Sequence, residues 1–214
     1  MSILEKAEAF LKESFAESAY FKEHPSEGEY RLQHSYRVAN IGKMIAEAEG
    51  FPVEEFTAAC LLHDIAYRET FTSEEDWKNH GRRSAEITRP FLLKAGVDAK
   101  LTEELCYGIA IHVDDEADFE HENTPMALSI QDADNIDRID AYRIYETLQV
   151  LQFSEMPYDQ KKKLVDQNLI NLEDYLQLTL ATPNATKLWR ERIGFYQQFY
   201  QKLQNQLNSS KEIL

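Results

Sequence analysis

The chain has 214 residues and carries 23 Lys and Arg against 38 Asp and Glu, a formal net charge of −15. That length suits one sizeable domain, and that acidity, without a basic stripe, argues against a duplex nucleic-acid binder. No apolar run approaches the roughly 18–20 residues of a membrane span, and the N-terminus has neither the basic region nor the apolar core of a secretory signal, so the expected location is the cytoplasm, with no membrane partner.

Helical periodicity dominates, and alternating β-branched stretches are absent, which predicts an all-α fold. A first helix is expected from about Ile3 to Phe21, with Leu4, Ala7, Leu11 and Phe15 on its apolar face. His24-Pro25-Ser26-Glu27-Gly28 reads as a breaker. A second helix runs from about Glu29 to Glu49 and stops at Gly50, with His34 on the same stripe as Val38, Ile41 and Ile45. Phe51-Pro52 opens a third helix, which carries the apolar run Ala58-Ala59-Cys60-Leu61-Leu62 into His63-Asp64-Ile65. Cys60, like Cys106 further on, is expected to be a reduced core thiol.

Thr70 to Lys78 is polar and predicts a loop. A fourth helix opens near His80-Gly81 and reaches Gly96, with a kink or interruption at Pro90. A fifth follows Asp98 and carries Leu101, Leu105, Gly108 and His112 on one face. The acidic stretch Asp114 to Glu122 lacks EF-hand spacing and reads as a solvated loop. A sixth helix begins at Pro125 with Ala127, Ile130 and Asp134 on one stripe. Beyond Arg138, further helices break near Met156-Pro157 and Thr182-Pro183, with Tyr175 and Phe195 among the expected packing residues and a fraying tail from Asn205 to Leu214.

Five separate segments therefore turn His or Asp towards apolar surroundings: His34, His63-Asp64, His80, His112 and Asp134. A buried, unpaired carboxylate costs several kcal/mol, and a metal cation is the partner that answers this need. Imidazole suits borderline transition metals and carboxylate harder ones. Two His and two Asp would fill four octahedral positions and leave two open. His24 and His121 lie in breaker and acidic-loop contexts and are not expected to be ligands.

The ordered pattern His34 … His63-Asp64 … Asp134 resembles the HD superfamily of metal-dependent phosphohydrolases. Three contexts carry the resemblance: His34-Ser35-Tyr36-Arg37-Val38-Ala39, Leu61-Leu62-His63-Asp64-Ile65 and Gln131-Asp132-Ala133-Asp134-Asn135-Ile136-Asp137. It spans about Glu29 to Tyr142. It implies an HD-type helical bundle with the metal at its core, here within a single domain with a core of about 29–142 and a C-terminal helical extension of about 143–214. His80 and His112 are similar to the extra histidines of binuclear members. The implied ligands are His34, His63, Asp64 and Asp134 for one divalent cation, and His80 and His112 for a second, with Asp64 bridging. The ion could be manganese, iron, cobalt, magnesium or zinc. The cyclic-dinucleotide phosphodiesterase branch is disfavoured, because Ile65-Ala66-Tyr67-Arg68 stands where it often has a Lys, and its Gly-Tyr-Pro signature is absent.

The resemblance implies metal-dependent hydrolysis of a phosphate ester or anhydride, with a nucleotide or other small phosphoester as substrate and Asp64 as the catalytic bridge between metal and water. Arg37, Arg82 and Arg138 follow ligand candidates by two to four residues and are the expected phosphate contacts. The same six-residue set also resembles that of HD-fold mixed-valent di-iron oxygenases acting on small polyols or phosphonates. A non-catalytic sensing module is a third reading, which the intact ligand set disfavours. The Tyr- and Phe-rich C-terminal helices are candidates for covering the cleft or for a homodimer surface.

Overall fold

The computed structural model describes residues 1–210, and every regular element among them is helical. The chain divides into two compact units, Met1–Asp137 and Arg138–Leu214. That division falls a few residues before the expected limit of the core at 142.

The first unit contains α1 (Ile3–Glu17), α2 (Ala19–Glu23), α3 (Pro25–Glu49), α4 (Val53–Leu62), a 3-10 turn (Ile65–Arg68), α5 (Glu74–Lys78), α6 (His80–Ala95), α7 (Ala99–Ile111) and α8 (Pro125–Asp137). Helix α4 is its centre. All seven residues from Phe56 to Leu62 are buried, as expected of a helix that is apolar on every side. Around it pack α1, α3, α6, α7 and α8. Helix α1 contributes Ala7, Leu11 and Phe15 to the core shared with Leu61, Leu62 and Ile65; burial of each large side chain contributes about 1.5–3 kcal/mol. Two glycines let backbones approach where larger residues would not. A Cβ at Gly108 would lie 2.4 Å from the Ala127 carbonyl of α8, and one at Gly81 would lie 2.6 Å from the Ala110 carbonyl of α7.

Several boundaries differ from expectation. The first helix breaks at Ser18, which leaves the helical region, accepts a hydrogen bond from the Phe21 N–H at 3.1 Å and donates one to the Arg68 carbonyl at 2.6 Å. The break expected over His24 to Gly28 narrows to His24, and Pro25 already starts α3, because proline at the first position has its φ preset and no N–H to satisfy. Within Thr70 to Lys78 a short helix forms, since Ser73 and Asp76 close a reciprocal capping box. Helix α6 runs through Pro90 without interruption while burying Ala85, Ile87, Thr88 and Leu92. Helix α4 stops at Leu62, so His63 and Asp64 stand at a helix end and not inside a helix.

The second unit contains α9 (Ala141–Val150), a 3-10 turn (Phe153–Glu155), α10 (Tyr158–Leu176) and α11 (Pro183–Asn208). The breaks at Met156-Pro157 and Thr182-Pro183 fall as predicted. Helices α10 and α11 pair, tied by Trp189 Nε1 donating to the Tyr175 carbonyl at 2.7 Å and Gln204 Nε2 donating to Asp166 Oδ1 at 2.7 Å. Ile193 and Tyr196 are buried, but Phe195 is exposed, as is Tyr175. Of the tail expected to fray, residues 205–208 are helical, and residues 211–214 lie outside the described residues. No helix among the described residues is long and apolar enough to cross a membrane.

Candidate metal centre

The six ligand candidates converge in the first unit, none more than 4% exposed. His34 comes from the middle of α3, His63 and Asp64 from the end of α4, His80 from the first residue of α6, His112 from the end of α7 and Asp134 from α8. Neighbours in an unbroken helix point about 100° apart. After α4 ends, Asp64 adopts φ −108° and ψ 15° and the chain enters a 3-10 turn. Both side chains of the doublet can then face one centre.

Each imidazole is oriented through Nδ1. His34 Nδ1 lies 2.8 Å from Asp137 Oδ2, His63 Nδ1 2.8 Å from the Cys60 carbonyl and His112 Nδ1 2.7 Å from the Ile109 carbonyl, while His80 Nδ1 is bonded to the Trp77 carbonyl. Carbonyls and carboxylates only accept, so each Nδ1–H donates, and each Nε2 is turned inward. His34 Nε2 lies 3.2 Å from Asp134 Oδ1 and 3.5 Å from Asp64 Oδ2. His63 Nε2 lies 3.7 Å from Asp64 Oδ2 and 3.8 Å from Asp134 Oδ1. On the other side, His80 and His112 place Nε2 at 3.2 and 3.4 Å from Asp64 Oδ1. Asp64 thus divides its two oxygens between two pairs of histidines.

The electrostatics follow from this packing. Burial disfavours charge on His34, but its bonds to Asp134 and Asp137 outweigh that and push it up to about 9. Burial dominates at His63, which has no carboxylate within hydrogen-bond reach, and brings it down to about 4. His112 is likewise opposed by burial, yet contact with Asp64 raises it. Burial would raise Asp64, but His63, His112 and His80 hold it well below the usual carboxylate range. The cluster stabilises its buried carboxylates with positive charge, the service a cation would also perform.

The donor set fits a divalent metal. The groups His34–His63–Asp64, His63–His112–Asp134 and Asp64–His80–His112 each offer atoms within 4.8 Å of one another. Nε2 of His63 and of His112 is buried without a hydrogen-bond partner, a state that costs about 1–3 kcal/mol each unless something binds there. Imidazole and carboxylate together suit a borderline or moderately hard divalent ion.

The expected phosphate-binding arginines fare differently. Arg37 Nε donates to Asp137 Oδ1 at 2.8 Å and so supports the carboxylate that orients His34. Arg82 is engaged by Asp114. Arg138 is exposed and belongs to the second unit. A guanidinium that reaches the centre is that of Arg31, which sequence reasoning missed. Its Nη1 lies 3.3 Å from Asp64 Oδ2, and it stacks 3.4 Å over the Tyr67 ring. Arg31 precedes His34 by one helical turn, and Asp137 follows Asp134 by one, so spacing makes both candidates, as it does Arg37. His24 is exposed and bonds the Tyr20 carbonyl through Nδ1, and His121 bonds the Glu122 carbonyl.

A model of the HD domain matches residues 31–141, just over half of the chain. The chain belongs to the HD-domain family. Among solved structures, the crystal structure of a predicted HD superfamily hydrolase from an uncultured Thermotogales bacterium is similar, with a TM-score of 0.64 at 20% identity, over 96% of this chain and 93% of that one. That likeness extends the shared all-α fold beyond the HD segment. No curated protein matches the sequence. HD domains bind divalent metals, and the convergent His and Asp side chains are where this one could do so.

Proposed function

We propose that this HD domain is a metal-dependent hydrolase acting on a phosphate ester or anhydride of a small molecule. The observation that carries the reading is the division of Asp64 between two histidine pairs, with Arg31 beside the same carboxylate. When bound, one or two divalent cations supply Lewis-acid charge to a phosphoryl group and lower the pKa of water there. The protein's own residues do the rest. His34, His63, Asp64 and Asp134 form one half of the donor set, and His80 and His112 with Asp64 the other. Asp137 and the carbonyls of Cys60, Trp77 and Ile109 hold the imidazoles in the tautomer that turns Nε2 inward. Arg31 is 21% exposed at its side chain, so its guanidinium can meet both Asp64 and an anionic group arriving from solvent.

The net charge of −15 disfavours polymeric nucleic acid and leaves attraction of anions to the site itself. Nucleotides and small phosphoesters are the substrates that fit. The test is to strip the purified chain of metal and reload it with manganese, iron, cobalt, magnesium or zinc. Inorganic phosphate release is then measured without oxygen from a panel of phosphomonoesters and nucleotides. Metal-dependent release is expected. Oxygen consumption by an iron-loaded form, with no phosphate release under any metal, would replace this reading with an oxygenase.

A further inference from the structure

His80 and His112 both come from helix ends, where Gly81 brings the start of α6 close to the Ala110 carbonyl of α7. Their Nδ1 anchors are local, since each uses a carbonyl three residues earlier, Ile109 of α7 for His112 and Trp77 of the preceding short helix α5 for His80. Such an anchor sets the orientation of a ring but not the separation of the two rings, because it moves with the segment. His34 differs, as it sits inside α3 and is anchored from α8 by Asp137.

A cross-link between the two segments lies two residues beyond each histidine. Arg82 Nη1 is 2.9 Å from Asp114 Oδ1 and 3.2 Å from Oδ2, and Nη2 is 3.1 Å from Oδ2. Both guanidinium prongs are therefore engaged by one carboxylate, the geometry in which Arg is strongest and most directional. Asn79 Oδ1 accepts from Arg82 Nε at 2.9 Å, and the Glu116 carbonyl accepts from Nη1 at 3.3 Å. The turn that carries Asp114 is itself constrained. Asp115 takes a left-handed φ of 62°, and Gln131 Nε2 reaches its Oδ1 at 3.2 Å and the His112 carbonyl at 3.4 Å. The next arginine offers a contrast. Arg83 pairs with Glu69 and Glu86 on the surface, with its side chain 46% exposed against 11% for Arg82.

We propose that Arg82 and Asp114 are positioning residues that clasp the His80 and His112 segments together. By fixing the separation of the two Nε2 atoms, they set the affinity of this half of the site for a second cation. The inference rests on the two-cation form of the reading above. It also gives Arg82 a task other than phosphate binding.

The test uses the full chain, stripped with chelator and titrated with manganese, with bound equivalents counted and the spin-coupled signal of a metal pair followed by electron paramagnetic resonance. Arg82→Met and Asp114→Asn should each weaken the second equivalent by about 10–100-fold, the range for lost outer-sphere support, and leave the first unchanged. Arg82→Lys, which keeps the charge but loses the fork, should recover part of the pair signal, and Arg83→Met should bind as the unaltered chain does. Undiminished binding of both equivalents by Arg82→Met, or equal weakening of both, overturns the clasp while leaving the metal site standing. An unaltered chain that takes up one cation or none overturns the second site and the clasp with it. Melting of the metal-free variants identifies any that fail to fold, and Asp114→Asn, nearly isosteric, then decides.

Discussion

Replacing Asp64 with alanine removes a side chain whose two oxygens face both pairs of histidines. Its Oδ2 faces Nε2 of His34 and His63 at 3.5 and 3.7 Å, and its Oδ1 faces Nε2 of His80 and His112 at 3.2 and 3.4 Å. Four-ligand structural zinc sites gain about 10–16 kcal/mol on binding, hence roughly 2.5–4 kcal/mol per ligand. At about 1.4 kcal/mol per decade, the loss is on the order of 10²–10³-fold in affinity at each of two positions. His80→Ala and His112→Ala each remove a donor from one position only. Asp137→Ala removes no donor; it frees His34 Nδ1, and about 10–100-fold at one position is expected. The assay is metal titration of the stripped protein by calorimetry, with bound metal counted after dialysis and circular dichroism to verify folding. Asp64→Ala should lose both equivalents, His80→Ala one, and Asp137→Ala should weaken one. If Asp64→Ala lost no more metal than His80→Ala, the carboxylate would not be shared and the bridging argument would fail.

Arg31→Met should leave the bound-metal count near that of the unaltered chain but raise KM for a phosphorylated substrate by roughly 10-fold or more, the loss of one charge-assisted contact of about 1.5–3 kcal/mol; an unchanged KM would remove Arg31 from substrate binding. Gly108→Ala forces a Cβ towards the Ala127 carbonyl, with 2.4 Å available, and should cost about 1–3 kcal/mol. Thermal melting should show a drop of roughly 3–10 °C. Gly194→Ala, with nothing within 4 Å of the added Cβ, should instead raise the melting temperature slightly, by an amount corresponding to about 0.5–1 kcal/mol; the same sign for both would refute the packing argument. Ser18→Ala loses the cap on α2 and the bond to the Arg68 carbonyl, and should lower stability by about 1–2 kcal/mol in the same melting assay.

The six ligand candidates could be read from the sequence because each is a polar residue at an apolar position of a periodic helix, or at its edge. The arginines could not be assigned in the same way. Arg31 and Arg37 both lie one turn from His34, on either side, and spacing treats them alike. What separates them is Asp137, 100 residues from Arg37, which claims it. Arg82 is claimed in the same manner by Asp114, 32 residues away. Ion-pair choice is a long-range property, whereas hydrophobic periodicity is local. Helix α5 was missed for another reason. Its signal, Ser73 followed three residues later by Asp76, is a capping pattern without apolar periodicity, and the helix is stabilised at its end and not by a buried face.

The most consequential difference from the sequence reading is the place where the doublet stands. The last four carbonyls of a helix have no partner within it. His63 and His112 are the capping residues of α4 and α7, and each donates Nδ1–H to a carbonyl of the last turn, Cys60 in one case and Ile109 in the other. His80 does the same with Trp77 of the short helix before it. One bond thus selects the tautomer and turns Nε2 towards the centre, and at Cys60 and Ile109 it also satisfies a carbonyl of the last helical turn. The negative ends of α4 and α7 lie beside these imidazoles. A helix C-terminus favours a nearby cation by about 0.3–1 kcal/mol when exposed, and up to about 2 kcal/mol in a partly buried setting. The carboxylates Asp64 and Asp134 add full charges to the same place, buried where water screens them least. A His-Asp doublet in mid-helix, with its side chains about 100° apart, would have offered neither the converging directions nor the free carbonyls. The apolar run before it matters for the same reason, since it buries α4 on all sides and so delivers that helix end to the middle of the bundle.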